Sequence, residues 1–148
     1  MIHETHNKEL ILEILNLPRI LDLLGEDKIQ HVNLNHLWLV YTDNHKIKGI
    51  IELKEFNKIT VEAHIIVLPE FHGTNISSDF SIEVFKYLSK NTIYRNILAP
   101  VPVSCVHIIK FLNKLNFKVI GLMKESIIWK HNLQDLLLYQ YNIKEGGI

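Results

Sequence analysis

The sequence predicts an α/β fold, a mixed and mostly antiparallel sheet with helices on its faces. Three observations predict it. Strand-like runs rich in aromatic and β-branched residues follow one another between Leu37 and Leu68 with only short polar turns between them. Two apolar stripes at helical spacing, around Phe80–Leu88 and Ile108–Leu115, bracket a further extended run. Two more strand-like runs then close the chain.

In chain order, Asn7 to Leu15 places Leu10, Ile11, Ile14 and Leu15 on one helical face. Pro18 interrupts or restarts that helix, and Ile20 to Leu24 forms a second stretch capped by Gly25. Leu37–Thr42, Ile47–Phe56 and Ile59–Leu68 read as three strands of an antiparallel meander, turning at Asp43–Lys46 and at Asn57-Lys58. Gly49 marks a bulge or a close approach.

Phe80, Val84 and Leu88, widened by Ile82 and Phe85, predict a helix with Ser77, Ser78 and Asp79 as N-terminal caps. Ile97 to Val103 reads as a strand whose Pro100 and Pro102 mark either a splay or a terminated edge. Ile108, Phe111, Leu112 and Leu115 form the next helix face. Phe117 to Lys130 and Leu133 to Ile143 are the last strands.

The chain has 148 residues, which fits one domain over residues 1–143 with a flexible tail over 144–148. Lys plus Arg and Asp plus Glu are 16 each, and this zero balance weighs against a general nucleic-acid or membrane-surface binder. The nine His accompany an abundance of Ile, Asn and Lys and read as compositional bias rather than a metal or pH-sensing device. One cysteine, Cys105, allows no internal disulfide. No basic start leads into an apolar signal core, and no apolar run is long enough for a bilayer, so a cytoplasmic location is expected. His3 and His6 could ligate a metal only on a helix, and a mobile N-terminus is the simpler expectation. Trp38 and Trp129 read as packing in the sheet or at an interface.

Three stretches carry a family resemblance. They are Ile65-Ile66-Val67-Leu68-Pro69-Glu70-Phe71-His72-Gly73, then Phe111-Leu112-Asn113-Lys114-Leu115-Asn116-Phe117, then Val119-Ile120-Gly121. Together with the element order from about Leu10 to Tyr141, they resemble the GNAT superfamily of acyl-CoA-dependent N-acyltransferases. The chain is also similar to small, divergent GNAT-like proteins of bacteriophages, with which its Ile/Asn/Lys bias and low Gly content are compatible.

The resemblance implies a GNAT-like fold in which two parallel strands splay to admit the pantetheine arm of acetyl-CoA. Here these are the strand ending at Val67 and Leu68 and the strand over Ile97–Val103. It implies a cofactor loop over His72, Gly73, Thr74, Asn75, Ile76 and Ser77. Backbone N–H groups at a helix start can hold a pyrophosphate. The family places Gln or Arg, two spacers, Gly, one spacer, then Gly or Ala; this chain has His72, Asn75 and Ser77 there. Asn75 can adopt the left-handed conformation that Gly would supply. Asp79 adds a negative charge in the first turn, which Lys86, Lys90, Arg95 and Lys110 are available to offset.

Acyl transfer to an amine needs a base, and Glu62 and His64 alternate on one strand face. The other reading of the two is a solvent-facing polar pair. The family's thiolate-protonating Tyr corresponds to Leu112, which leaves Tyr139 or Tyr141 as substitutes. Its helix-start Asn corresponds to Cys105, beside Ser104.

Two functions are implied. One is an acetyl-CoA-dependent N-acyltransferase acting on an amine. The other is a catalytically inactive GNAT-fold protein with a structural, virion-associated or partner-binding role, for example among phage structural proteins. A nucleic-acid-modifying acyltransferase would need a basic cleft, against which the neutral charge weighs. The resemblance and the apolar alternation of the last two strands also imply a homodimer.

Overall fold

The computed structural model describes residues 1–143; the tail expected at 144–148 lies outside the described residues. Seven strands form one sheet in the order β1-β2-β3-β4-β5-β7-β6. They are β1 (Ile2–Glu4), β2 (Leu37–Asp43), β3 (Lys46–Asn57), β4 (Thr60–Val67), β5 (Asn96–Pro102), β6 (Lys118–Trp129) and β7 (Asn132–Asn142). The helices are α1 (Lys8–Leu15), α2 (Pro18–Leu24), α3 (Ile76–Asn91) and α4 (Val106–Lys114). No helix among the described residues is long and apolar enough to cross a membrane.

β1 corrects the expected helix-first order. It pairs antiparallel with β2, His3 opposite Val40, and the Thr42 N–H donates to Met1 O at 2.9 Å. The N-terminus is therefore held on the sheet rather than mobile. His3 lies on this strand, not on a helix, and His6 Nε2 is 3.3 Å from Glu4 Oε1. Three residues carry too little periodicity to announce a strand; long-range pairing creates it.

The two N-terminal helices form as their sequence predicts. Asn7 caps α1 by accepting the Leu10 N–H at 3.1 Å. Pro18 opens α2, where its missing N–H costs nothing. Gly25 ends α2 at φ 70°, and a side chain there would also meet the Trp129 ring at 2.8 Å. The meander β2–β3–β4 is antiparallel throughout. At Gly49 both expectations hold: the β2–β3 register shifts beside its partner Tyr41, and an added Cβ would stand 2.5 Å from Ile66 O and 3.0 Å from Phe80.

Two apolar cores flank the sheet. On one face, α1 and α2 bury Ile11, Ile14, Leu15 and Ile20 against Trp38, Val40, Ile50 and Ile66. On the other, α3 and α4 bury Phe80, Val84, Leu88 and Leu112 against Leu39, Ile51, Val61 and Ile97. Strand alternation assigns the faces: odd residues of β4 meet α3 and α4, even ones the α1/α2 side. Trp38 packs fully and donates its Nε1–H to Asn33 O at 3.0 Å.

Candidate functional site

Among the described residues β4 and β5 are the one parallel pair, and their pairing stops early. Only Thr60–Asn96, Val61–Ile97 and Glu62–Leu98 are in register. Beyond them the strands diverge, while β5 stays paired with β7 as far as Pro102–Leu136. The prolines explain why the break falls on this side. Asn96 donates toward Ile59 ahead of β4, and Val103 toward Asp135 of β7. Even-numbered nitrogens of β5 therefore face β4. Pro100 and Pro102 sit at even positions and have no N–H to offer there. This decides for a splay rather than a terminated edge.

The facing edge of β4 is left open in turn. Leu68 N–H donates to Lys48 O of β3, so the odd-numbered N–H groups of β4 point away from β3; that of Ala63 closes the last β4–β5 bridge, and those of Ile65 and Val67 face the gap. They have no strand partner there. Below the gap, on the α3/α4 side, lies a small apolar cavity of about 50 Å³ lined by Ala63, Ile65, Ser81, Ala99, Leu112 and Phe117, among others.

After β4, Pro69–Phe71 form one 3-10 turn and α3 begins at Ile76. Two expectations are corrected here. Ser77, Ser78 and Asp79 lie inside the first turn of α3 rather than capping it. The N-cap is Asn75, whose side chain makes no capping bond, and Thr74 Oγ1 instead accepts the Ile76 N–H at 3.2 Å. Asn75 has φ −77° and ψ −3°, in the right-handed region; the left-handed residue of the loop is Gly73, φ 77°. With the reversal made at Gly73, Asn75 has no need of the rarer conformation. The first main-chain bond of α3 is Asp79 N–H to Asn75 O. Among the described residues the N–H groups of Gly73, Asn75, Ser77 and Ser78 make no main-chain bond. His72 turns back and donates its Nε2–H to Val67 O at 2.7 Å, on the gap side of β4.

Glu62 and His64 do meet, on the α1/α2 side of β4. His64 Nε2–H donates to Glu62 Oε1 at 2.9 Å, which leaves Nδ1 as the ring's lone pair. That hydrogen bond holds the Glu62 carboxyl below its ordinary range; the charges of His64, Lys54 and His36 add to it, and burial opposes it. The side chains are 23% and 44% exposed for Glu62 and His64, so the pair is open to solvent without being free in it.

Three neighbours were missed by sequence reasoning, Glu52, His36 and Lys54. Glu52 of β3 stands directly opposite His64. It accepts a short hydrogen bond from His36 Nδ1, while His36 Nε2 lies 3.2 Å from Asn33 Nδ2. Lys54 stands opposite Glu62. His64 is thus set between two carboxylates, each with a histidine donor.

The remaining candidates are placed elsewhere. Cys105 is the buried N-cap residue of α4, and burial pushes its thiol pKa up, with the Ser104 hydrogen bond and Lys130 opposing. Ser104 Oγ itself donates to Gln134 Oε1 at 2.6 Å. Tyr139 and Tyr141 are buried in the α3/α4 core, and Tyr141 stacks on Phe85 with centroids 4.3 Å apart. Burial raises the Tyr141 pKa. Both point to the face opposite Glu62 and His64, so the expectation that either stands in as the acid is corrected. Leu112 lines the small cavity at the position where the resemblance expected a tyrosine. Among the described residues no group of three or more His, Cys, Asp or Glu is arranged to hold a metal ion.

A family model described as a protein of unknown function, DUF2824, matches residues 2–146. The chain belongs to the DUF2824 family. No curated protein matches it in sequence. Solved structures do match in fold. Spermidine N-acetyltransferase from Vibrio cholerae, in complex with CoA and spermine, is similar with TM-score 0.83 and 15% identity over 99% of this chain and 96% of that one. Ribosomal-protein-alanine N-acetyltransferase from Brucella melitensis gives TM-score 0.75 and 16% identity over 96% and 99%. The protein smu.2055 from Streptococcus mutans gives 0.71 and 15% over 97% and 99%. At such identities the likeness concerns the fold, which in this DUF2824 chain is that of the GNAT acetyltransferases.

Proposed function

We propose that this protein is an acyl-CoA-dependent N-acyltransferase acting on a primary amine. The observation that carries the reading is the broken β4–β5 pairing, with a Glu–His pair on one side of the gap and unpartnered N–H groups along it. The residues present fit an acyl-CoA. The N–H groups of Ile65 and Val67 would bond the amide-bearing arm. Those of Gly73, Asn75, Ser77 and Ser78 would hold the pyrophosphate through the backbone, which asks little of the side chains. When bound, the cofactor supplies the acyl group as an activated thioester.

The chain's own part is proton handling and orientation. His64 Nδ1 accepts a proton from the acceptor ammonium and frees the amine lone pair for attack. Glu62, kept ionised, fixes the ring through Nε2–H and stabilises the imidazolium that forms. His72 and Asp79 work against cofactor binding, since one occupies Val67 O and the other places a negative charge in the first turn of α3. Binding therefore requires the His72 ring to be displaced or accommodated.

These same two residues favour the second reading, a GNAT-fold protein that has given up catalysis and binds a partner. A homodimer is proposed with either reading. It is supported by the exposed apolar stripe of Val119, Leu122, Ile128 and Leu133 on the α3/α4 side of β6 and β7.

Isothermal titration with acetyl-CoA and with desulfo-CoA separates the two. Micromolar binding of both is expected, with Glu62→Gln binding equally well but losing about 10²–10⁴-fold in acyl transfer. Absence of binding at millimolar ligand would remove the enzyme reading.

A further inference from the structure

Beside Glu62 the α1/α2 side of the sheet is apolar and partly exposed. Leu98 is in register with Glu62 on the parallel pair, so both side chains rise from one face. Cross-strand partners extend that face. Pro100 stands opposite Leu138 and Pro102 opposite Leu136, and these leucines stand opposite Gly121 and Met123 of β6. Leu98, Leu136 and Leu138 are half-buried and join neither core, and Met123 is exposed. The strip is bounded on one side by a polar pair, Gln140 Nε2 donating to Asn96 Oδ1 at 3.1 Å. Strands lie about 4.8 Å apart, so the strip reaches on the order of 10 Å from Glu62 before it meets β6.

The carboxylates at the paired positions of this face are confined to one end. Glu62 and Glu52 stand at the β4/β3 end of this face. At the paired positions of β5, β6 and β7 on the same face there is no Asp or Glu, and the one ionised residue is Lys118, opposite Gln140. A second ammonium lying along the strip would find no carboxylate at the paired positions beneath it, whereas an apolar chain would find Leu98, Pro100 and Leu138.

We infer that the acceptor is a monoamine with an apolar body, its ammonium at Glu62–His64 and its alkyl or aryl part on the Leu98–Pro100–Leu138 strip. The inference rests on the acyltransfer reading only for the chemistry after binding. The carboxylate–histidine pair selects the cation, and the strip measures the length of the apolar chain attached to it.

The test is titration of the whole protein at pH 7 with n-butylamine, n-octylamine and spermidine, beside a separate titration with acetyl-CoA. Each methylene taken from water contributes about fourfold in affinity, so octylamine should bind at least tenfold tighter than butylamine. Leu138→Asp should abolish that length dependence and Leu138→Met should keep it. Glu62→Gln should weaken both alkylamines by a similar factor. Equal binding of the two alkylamines, tighter binding of spermidine than of octylamine, or no amine binding at millimolar concentration would overturn the inference. So would a wild-type dimer that Leu138→Asp converts to monomer, because the strip would then be an interface. Octylamine binding without acetyl-CoA binding removes the acyltransfer reading and leaves the amine site standing. Acetyl-CoA binding without amine binding removes the amine site alone.

Discussion

Strands β2–β4 and strands β6–β7 carry comparable runs of Ile, Leu and Val, yet they end in different surroundings. In β2 and β3 the central residues are buried on both faces, because α1 and α2 lie on one side and α3 on the other, and β4 is buried on both faces at its end, Ile66 and Val67. β6 has no buried residue along its twelve, and Val119, Ile120, Leu122, Met123 and Ile128 are all exposed. An apolar pattern states what a strand could bury. Whether anything covers it depends on where the helices land, and here four helices cover part of β7 and leave β6 largely bare. The functional residues sit at the border between the two regions, where β4 leaves β5.

The comparison is broken most forcefully at its centre. Phe80 is fully buried and stacks on Tyr41 with centroids 5.0 Å apart. Phe80→Ala should cost about 3–5 kcal/mol in urea unfolding, whereas Leu122→Ala on β6 should cost less than about 1. Equal losses would mean that β6 is covered in solution.

Two glycines sharpen it. Gly49→Ala forces a Cβ to within 2.5 Å of Ile66 O, whereas at Gly121 the nearest atom is Leu138 Cδ1 at 3.7 Å. The first should destabilise by about 1–3 kcal/mol and the second should stay within about 0.5. The measurement is the shift in denaturation midpoint for each.

The bare stripe of β6 gives the next. Leu122→Asp should halve the sedimenting mass at micromolar protein. A wild-type monomer at that concentration would remove the homodimer.

The smallest effect lies in the pH dependence. The Glu62 pKa is depressed in the folded state by His64, so its contribution is present above the unfolded carboxylate range and is lost as pH falls through the folded value. The pair is partly exposed and screened, so Glu62→Gln should cost under about 1 kcal/mol at pH 7. The difference from wild type should vanish on acidification. A gap that persists unchanged to pH 3 would assign the loss to packing instead.

Much of the site was legible and some was not, for identifiable reasons. Glu62 and His64 are two apart on one strand, and period-two alternation suffices to pair them. Glu52 was hidden by the bulge between Glu55 and Asn57, which moves the β3–β4 register by one residue; counting back from the turn would set Leu53, not Glu52, opposite His64. His36 comes from the loop after α2, where no periodicity guides placement. The loop residue His72 was noted as an unusual type, but its bond to Val67 O depends on a fold-back through the 3-10 turn.

By itself the sequence determined the local elements: four helices from 3.6-residue periodicity, six strands from alternation, Gly25 and Pro18 at helix boundaries, and through its motifs the GNAT type of fold. These arise from interactions within about ten residues. Only the tertiary structure decided that Ile2–Glu4 is a strand, that β4 and β5 part after Glu62, that Tyr139 and Tyr141 serve the core, and that β6 stays uncovered. Each of these depends on which groups meet across long stretches of chain, and pairing at that range is set by the packing of the whole sheet rather than by any residue's own preference.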